Sequence, residues 1–160
     1  MKEQVYKILE ENHIAYERKD HPPVRTVLEA KQKVPPMNGV GCKNLFLKDS
    51  LHRYYIYVLP EEEKADFKEL AKKLNVAKIK FASEKELFNQ TKLERGMVTP
   101  LAFLMNPSHS IIILVDSDLV GKRLLMHPMD NTATISIAYS DFINLMKKYS
   151  TDYKALKLDK

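Results

Sequence analysis

The sequence has no tryptophan, one cysteine and only four glycines in 160 residues. The single cysteine, Cys42, excludes an intramolecular disulfide framework and any cysteine-rich zinc site. It suits a reducing compartment, and a cytoplasmic protein is expected. With so little glycine there is no glycine-rich phosphate loop of either common type, which argues against an NTPase or a dinucleotide enzyme. Long apolar runs are also missing. The longest, residues 54–59 and 111–115, are far too short to span a bilayer, so no membrane partner is expected. The N-terminus has no apolar signal core. His-Glu-x-x-His is absent, and His13, His21, His52, His109 and His127 show no tight ligand spacing, so no metal is expected.

What remains is 44% hydrophobic and 29% charged, the balance of a globular chain rather than a disordered one. The 26 Lys+Arg against 21 Asp+Glu leave a net charge of +5, which permits a polyanionic partner without demanding one. At this length one domain over residues 1–160 is expected.

Strand and helix signals are interspersed. Val5, Ile8 and Leu9 share the face of an N-terminal helix, and residues 14–18 read as extended. Thr26-Val27-Leu28-Glu29 is a capping-box pattern that starts a short helix, and Pro35-Pro36 ends it. Residues 43–48 and 53–59 form a hairpin around 49–52. A helix is expected at 66–74, and a second capping box at Ser83 opens another through Phe88. Strands follow at 111–115, 124–127 and 132–138, then an amphipathic helix marked by Phe142, Leu145, Met146 and Tyr149. A last strand is placed at 154–158. The order implies an α/β domain with a mixed, mostly antiparallel sheet and surrounding helices.

Three segments resist a purely structural explanation. In Gly41-Cys42-Lys43-Asn44-Leu45-Phe46-Leu47, period-two alternation puts Lys43 on the side of Leu45 and Leu47. A core-facing lysine lines a cavity, because an unpaired buried ammonium is costly; the alternative is an edge lysine with a solvated head. Gly96-Met97-Val98-Thr99-Pro100 is a structured turn able to present backbone N–H groups to an oxyanion, or simply a strand entry. His127, before the turn Pro128-Met129-Asp130-Asn131, sits where a pocket rim is reachable, although a lone histidine is commonly a structural hydrogen-bonder. Cys42 with His21 or His127 as base is a weaker candidate, since no local signature surrounds the thiol.

Taken in order, these segments resemble one family. They are His21-Pro22-Pro23-Val24 with Thr26, Lys43-Asn44-Leu45-Phe46-Leu47, Phe81-Ala82-Ser83-Glu84, residues 96–100, and His127-Pro128 with Asn131-Thr132-Ala133-Thr134. The family is that of the YbaK/ProX-type aminoacyl-tRNA deacylases, free-standing relatives of the editing domain inserted in bacterial prolyl-tRNA synthetase. The likeness is strongest to the ProX branch, which clears alanine mischarged onto proline tRNA. The resemblance implies the editing-domain fold with a curved mixed sheet, and ester hydrolysis without metal or other cofactor. Its partners would be the acceptor end of mischarged tRNA(Pro) and prolyl-tRNA synthetase.

Carried over by position, the family's essential lysine falls on Lys43, its pocket asparagine on Asn44, its Gly-x-x-x-Pro loop on residues 96–100 and its late histidine on His127. The implied catalytic residues are Lys43, Gly96 and Thr99. Thr26, Asn44, Met97, Val98, Pro100, His127 and Asn131 would bind substrate. Met97 departs from the small or hydroxyl residue that many relatives carry there. Residues 26–37 are expected to wall the pocket, with selection by volume. Lys68 and Lys72, off the apolar stripe of their helix, are candidates for tRNA phosphate contacts, against the reading of a solvated face. Three alternatives stay open: a deacylase for cysteinyl-tRNA(Pro) or another small residue, a non-catalytic tRNA- or amino-acid-binding module, and a Cys42 thiol enzyme.

Overall fold

The computed structural model describes residues 2–108, 110–149 and 153–156. The N-terminal pattern forms α1 (Lys2–Glu11), burying Val5, Tyr6 and Leu9. The extended stretch forms β1 (Tyr16–Asp20), two residues later than expected. Thr26 caps α2 (Val27–Lys33) by accepting the Glu29 N–H at 3.1 Å, and the helix stops at Val34, before Pro35.

The hairpin is made by β2 (Val40–Asp49) and β3 (Tyr54–Pro60). Asp49 closes it, because its carboxylate accepts the N–H groups of Leu51 and Arg53 and the Tyr55 hydroxyl at 2.6 Å. Asp66 caps α3 (Phe67–Leu74), and Asn75 ends it in the left-handed conformation. A three-residue strand that the pattern does not announce, β4 (Ile79–Phe81), comes next. Ser83 and Glu86 complete a reciprocal capping box on α4 (Glu84–Thr91). A buried 3-10 turn at Pro100–Leu104 leads to β5 (Ile111–Asp116), β6 (Arg123–Met126), β7 (Ala133–Ala138), α5 (Tyr139–Tyr149) and β8 (Tyr153–Leu156). The last strand therefore starts one residue early, and residues 157–158 lie outside the described residues.

The strands join in the order β1-β7-β6-β2-β3-β5-β8, with β4 added to the far end of β2. Pairing is antiparallel at β1/β7, β6/β7, β2/β3 and β2/β4, and parallel at β2/β6, β3/β5 and β5/β8. This is the mixed, mostly antiparallel sheet expected. Alternation along β2 and β3 splits the apolar residues between two clusters. Phe46, Ile56 and Val58 join α1, the 3-10 turn and α5 in the larger one. Leu47, Tyr55, Tyr57 and Leu59 join Leu70 and Ala71 of α3 in the smaller one. Each fully buried leucine or isoleucine contributes roughly 1.5–3 kcal/mol.

Strand β2 touches three partners. Val40 and Gly41 pair with β6, residues 42–48 pair with β3, and residues 47–49 pair with β4. The pairing with β6 ends at Gly41, immediately before Cys42, Lys43 and Asn44. The sheet opens there, and the gap becomes a cavity.

Candidate active site

The cavity has a volume of about 240 Å3 and lies between β2, the turn around Gly96 and the end of β6. Thr26, Lys43, Asn44, Gly96, Val98 and His127 all line it. They come from four stretches of chain, and folding gathers them around one space.

Asn44 is oriented by its own amide. Its Nδ2 donates to the Val98 carbonyl at 3.1 Å, which leaves Oδ1 buried with no hydrogen-bond partner among the described residues. His127 presents a second such atom, since its Nδ1 is also buried and unpartnered. Burial pushes the imidazole pKa down, and the Val98 backbone carbonyl and Asp130 oppose that shift without reversing it. His127 is therefore neutral near pH 7. Lys43 is half-buried on the wall, with β3 on one side of it through the Lys43–Leu59 register. Gly96 takes a left-handed φ of 87°, which glycine adopts without penalty, and the turn brings Val98 against Asn44.

Cys42 lines the same cavity but is not set up as a nucleophile. Its thiol donates to the Val40 carbonyl at 3.3 Å, and burial, with a smaller push from Glu61, raises its pKa to about 12. Almost no thiolate exists at neutral pH. His21 is not a base for it either. Its Nδ1 lies 2.9 Å from the Pro22 carbonyl and its Nε2 lies 2.8 Å from the Thr134 hydroxyl, so both ring nitrogens are engaged in pinning the 21–24 segment to β7.

Other sequence candidates lie off the cavity lining. Thr99 is fully buried, and its hydroxyl caps the 3-10 turn by accepting the Leu101 N–H at 3.3 Å. Pro100 is the buried first residue of that turn. Met97 commits its N–H to the Glu94 carbonyl at 3.0 Å, which removes one of the donors expected for an oxyanion. Asn131 acts through its backbone, its carbonyl accepting the Val24 N–H at 3.1 Å. Lys68 and Lys72 are exposed on α3, whose buried residues pack in the smaller cluster, and neither lines the cavity.

Two lining residues escaped the sequence reading, Arg25 and Glu61. Glu61 sits in the acidic run Glu61-Glu62-Glu63, which reads as a solvated stretch. The available signal was Gly41, because a glycine inside a strand marks a close approach by another group. A second compartment of about 340 Å3 adjoins the first, and Val24, Ala30, Cys42, Glu61 and His127 line both. Its further wall includes Val34, Pro36, Met37 and Leu125, so the 26–37 segment does flank the space.

The model of the aminoacyl-tRNA editing domain family matches residues 21–145. The chain belongs to that family. It is an aminoacyl-tRNA deacylase. It is 34% identical to the prolyl-tRNA editing protein ProX of Acetoanaerobium sticklandii, over 98% of this chain and 97% of that one. It is 31% identical to the bovine prolyl-tRNA synthetase associated domain-containing protein 1, over 88% of this chain and 85% of the relative. Among solved structures, a proposed trans-editing enzyme for prolyl tRNA synthetase superposes with a TM-score of 0.71 at 17% identity, covering 99% of this chain and 96% of that one. That match shows the shared fold. Within this editing domain no described helix is long and apolar enough to cross a membrane.

Proposed function

We propose that this protein removes alanine from mischarged proline tRNA by hydrolysing the aminoacyl ester, with water as the nucleophile. The observation that carries this reading is the pair of buried, unpartnered polar atoms, Asn44 Oδ1 and His127 Nδ1, on the cavity that Lys43 lines. Leaving a buried polar group unsatisfied costs about 1–3 kcal/mol, so such atoms are prepared for a polar ligand. The relationship to a prolyl-tRNA editing protein supports proline tRNA as the carrier, with prolyl-tRNA synthetase as the source of the mischarged species.

The ester is already activated, so modest transition-state stabilisation suffices. Lys43 donates to the carbonyl oxygen as negative charge develops on it. Gly96 and Val98 line the same cavity, and their N–H groups would add to that stabilisation. Asn44 and neutral His127 hold the ribose and the aminoacyl group, and the free ribose hydroxyl of the substrate orients the water. The protonated Cys42 thiol takes no part. Among the described residues, the one cluster with metal-ligand proximity, Glu63, Asp116 and Asp118, is off the cavity lining.

The aminoacyl side chain enters the adjoining compartment. Its 340 Å3 far exceeds the roughly 30 Å3 that one water occupies, so it exceeds a methyl group as well. Rejection of proline by size thus requires the 24–37 segment to close around the ligand. The deciding experiment measures deacylation of Ala-, Cys- and Pro-tRNA(Pro) by wild type and Lys43→Ala. Alanine should leave fastest, and Lys43→Ala should lose about 100-fold or more. Near-normal activity of that variant, or no turnover of any ester by wild type, refutes the reading.

A further inference from the structure

Glu61 is the one carboxylate among the residues that line the 240 Å3 cavity, where it faces a company of cations and neutral groups. It follows the last residue of β3, and its N–H donates to the Gly41 carbonyl at 2.9 Å, continuing the β2/β3 register by one step. The side chain then folds across the strand. A Cβ on Gly41 would stand 2.5 Å from both Cδ and Oε1 of Glu61 and 2.7 Å from Oε2. The carboxylate is thus seated where only glycine leaves room for it. Among the described residues it accepts no hydrogen bond and forms no ion pair, and the neighbouring Lys31 is paired to Glu62 at 2.6 Å. Burial raises its pKa, as does Glu62, while Lys31 acts in the opposite sense.

Such a group is out of place in a site for nucleic acid. Every phosphate of a tRNA is negative, and a half-buried carboxylate repels it. An aminoacyl-tRNA carries positive charge at one place near the ester, the α-ammonium of its amino acid. Glu61 lines both compartments, so it stands at the junction where the α-carbon of a bound ester would lie if its side chain entered the larger space.

We propose that Glu61 binds the α-ammonium of the aminoacyl group, seated by the missing side chain of Gly41, and thereby makes the enzyme selective for esters with a free amino group. This rests on the editing reading above. Two substrates separate the possibilities: alanyl-tRNA(Pro) and its N-acetyl derivative, which keeps the ester and loses the positive charge. Wild type should prefer the free amine by on the order of 10- to 100-fold in kcat/KM, the size of a hydrogen bond to a charged group. Glu61→Gln, which is isosteric, should lower that ratio to within a few-fold of unity by slowing the free-amine ester far more than the blocked one. Gly41→Ala, which displaces the carboxylate through a different residue, should lower the ratio in the same direction. A Glu61→Gln enzyme that folds and keeps the wild-type ratio overturns the assignment and leaves the editing reading standing. Absence of turnover of alanyl-tRNA(Pro) by wild type overturns both.

Discussion

Asn44 is held to Val98 by a 3.1 Å bond from its amide nitrogen, and the same bond turns its carbonyl oxygen into an empty, buried acceptor. One contact therefore fixes the Gly96 turn against β2 and leaves the acceptor on the cavity wall, where the proposed reaction would bring substrate. Replacing Asn44 by Ala removes both effects, so kcat/KM should fall about 10- to 100-fold with a smaller loss of stability. Steady-state deacylation together with thermal unfolding separates the two contributions. An unchanged kcat/KM would show that Oδ1 has no substrate partner.

Gly96 is expected to tolerate substitution poorly for a conformational reason. An added Cβ would meet nothing closer than an Arg25 guanidinium nitrogen at 4.0 Å, but its φ of 87° is unfavourable for any side chain. Gly96→Ala should cost about 1–2 kcal/mol in denaturant unfolding and slow deacylation by shifting the turn.

Cys42→Ala should retain deacylation to within a few-fold. The thiol is protonated throughout the neutral range, with burial holding its pKa up at about 12. Loss of turnover in a variant that still folds would reinstate a thiol mechanism.

His127 makes stability depend on pH. Its pKa is lowered by burial, so below the ordinary value of about 6.5 the unfolded chain takes up a proton that the folded chain refuses. Stability should be full above that value and fall as pH drops through it toward the lower folded value. Urea unfolding between pH 5 and 8 should show this slope in wild type and a flatter one in His127→Gln. Equal slopes would mean that the imidazole is not held neutral.

Most of the architecture was legible because it rests on local signals. Thr26 and Ser83 cap the helices that their capping patterns announce, and the aromatic, β-branched run after Asp49 is the central strand it resembles. Strand β4 was not legible, since three residues carry no period of their own and pair only because β2 extends beyond β6. At the site, Thr26, Lys43, Asn44, Gly96, Val98 and His127 line one cavity, whereas Thr99 and Pro100, in the same short motif as Gly96, lie off its lining. A five-residue turn has an inside and an outside, and composition does not say which residue faces which. Glu61 was hidden for the opposite reason. Its neighbours in sequence are acidic and solvated, and only the hairpin register reveals that it lies over a glycine.

The position of β2 has a consequence for how the enzyme accommodates a ligand. Because three strands hold β2, amide hydrogens within it should be among the last to exchange with solvent. Lys43 and Asn44, which line the cavity, are therefore mounted on the stationary part of the molecule. Residues 24–37 are tied through the Val24 N–H to the Asn131 carbonyl, in the turn before β7 rather than in a strand, and residues of this segment form the opposite wall. Any grip tightening around one amino acid and failing around another has to come from that side, with the β2 face acting as the fixed jaw.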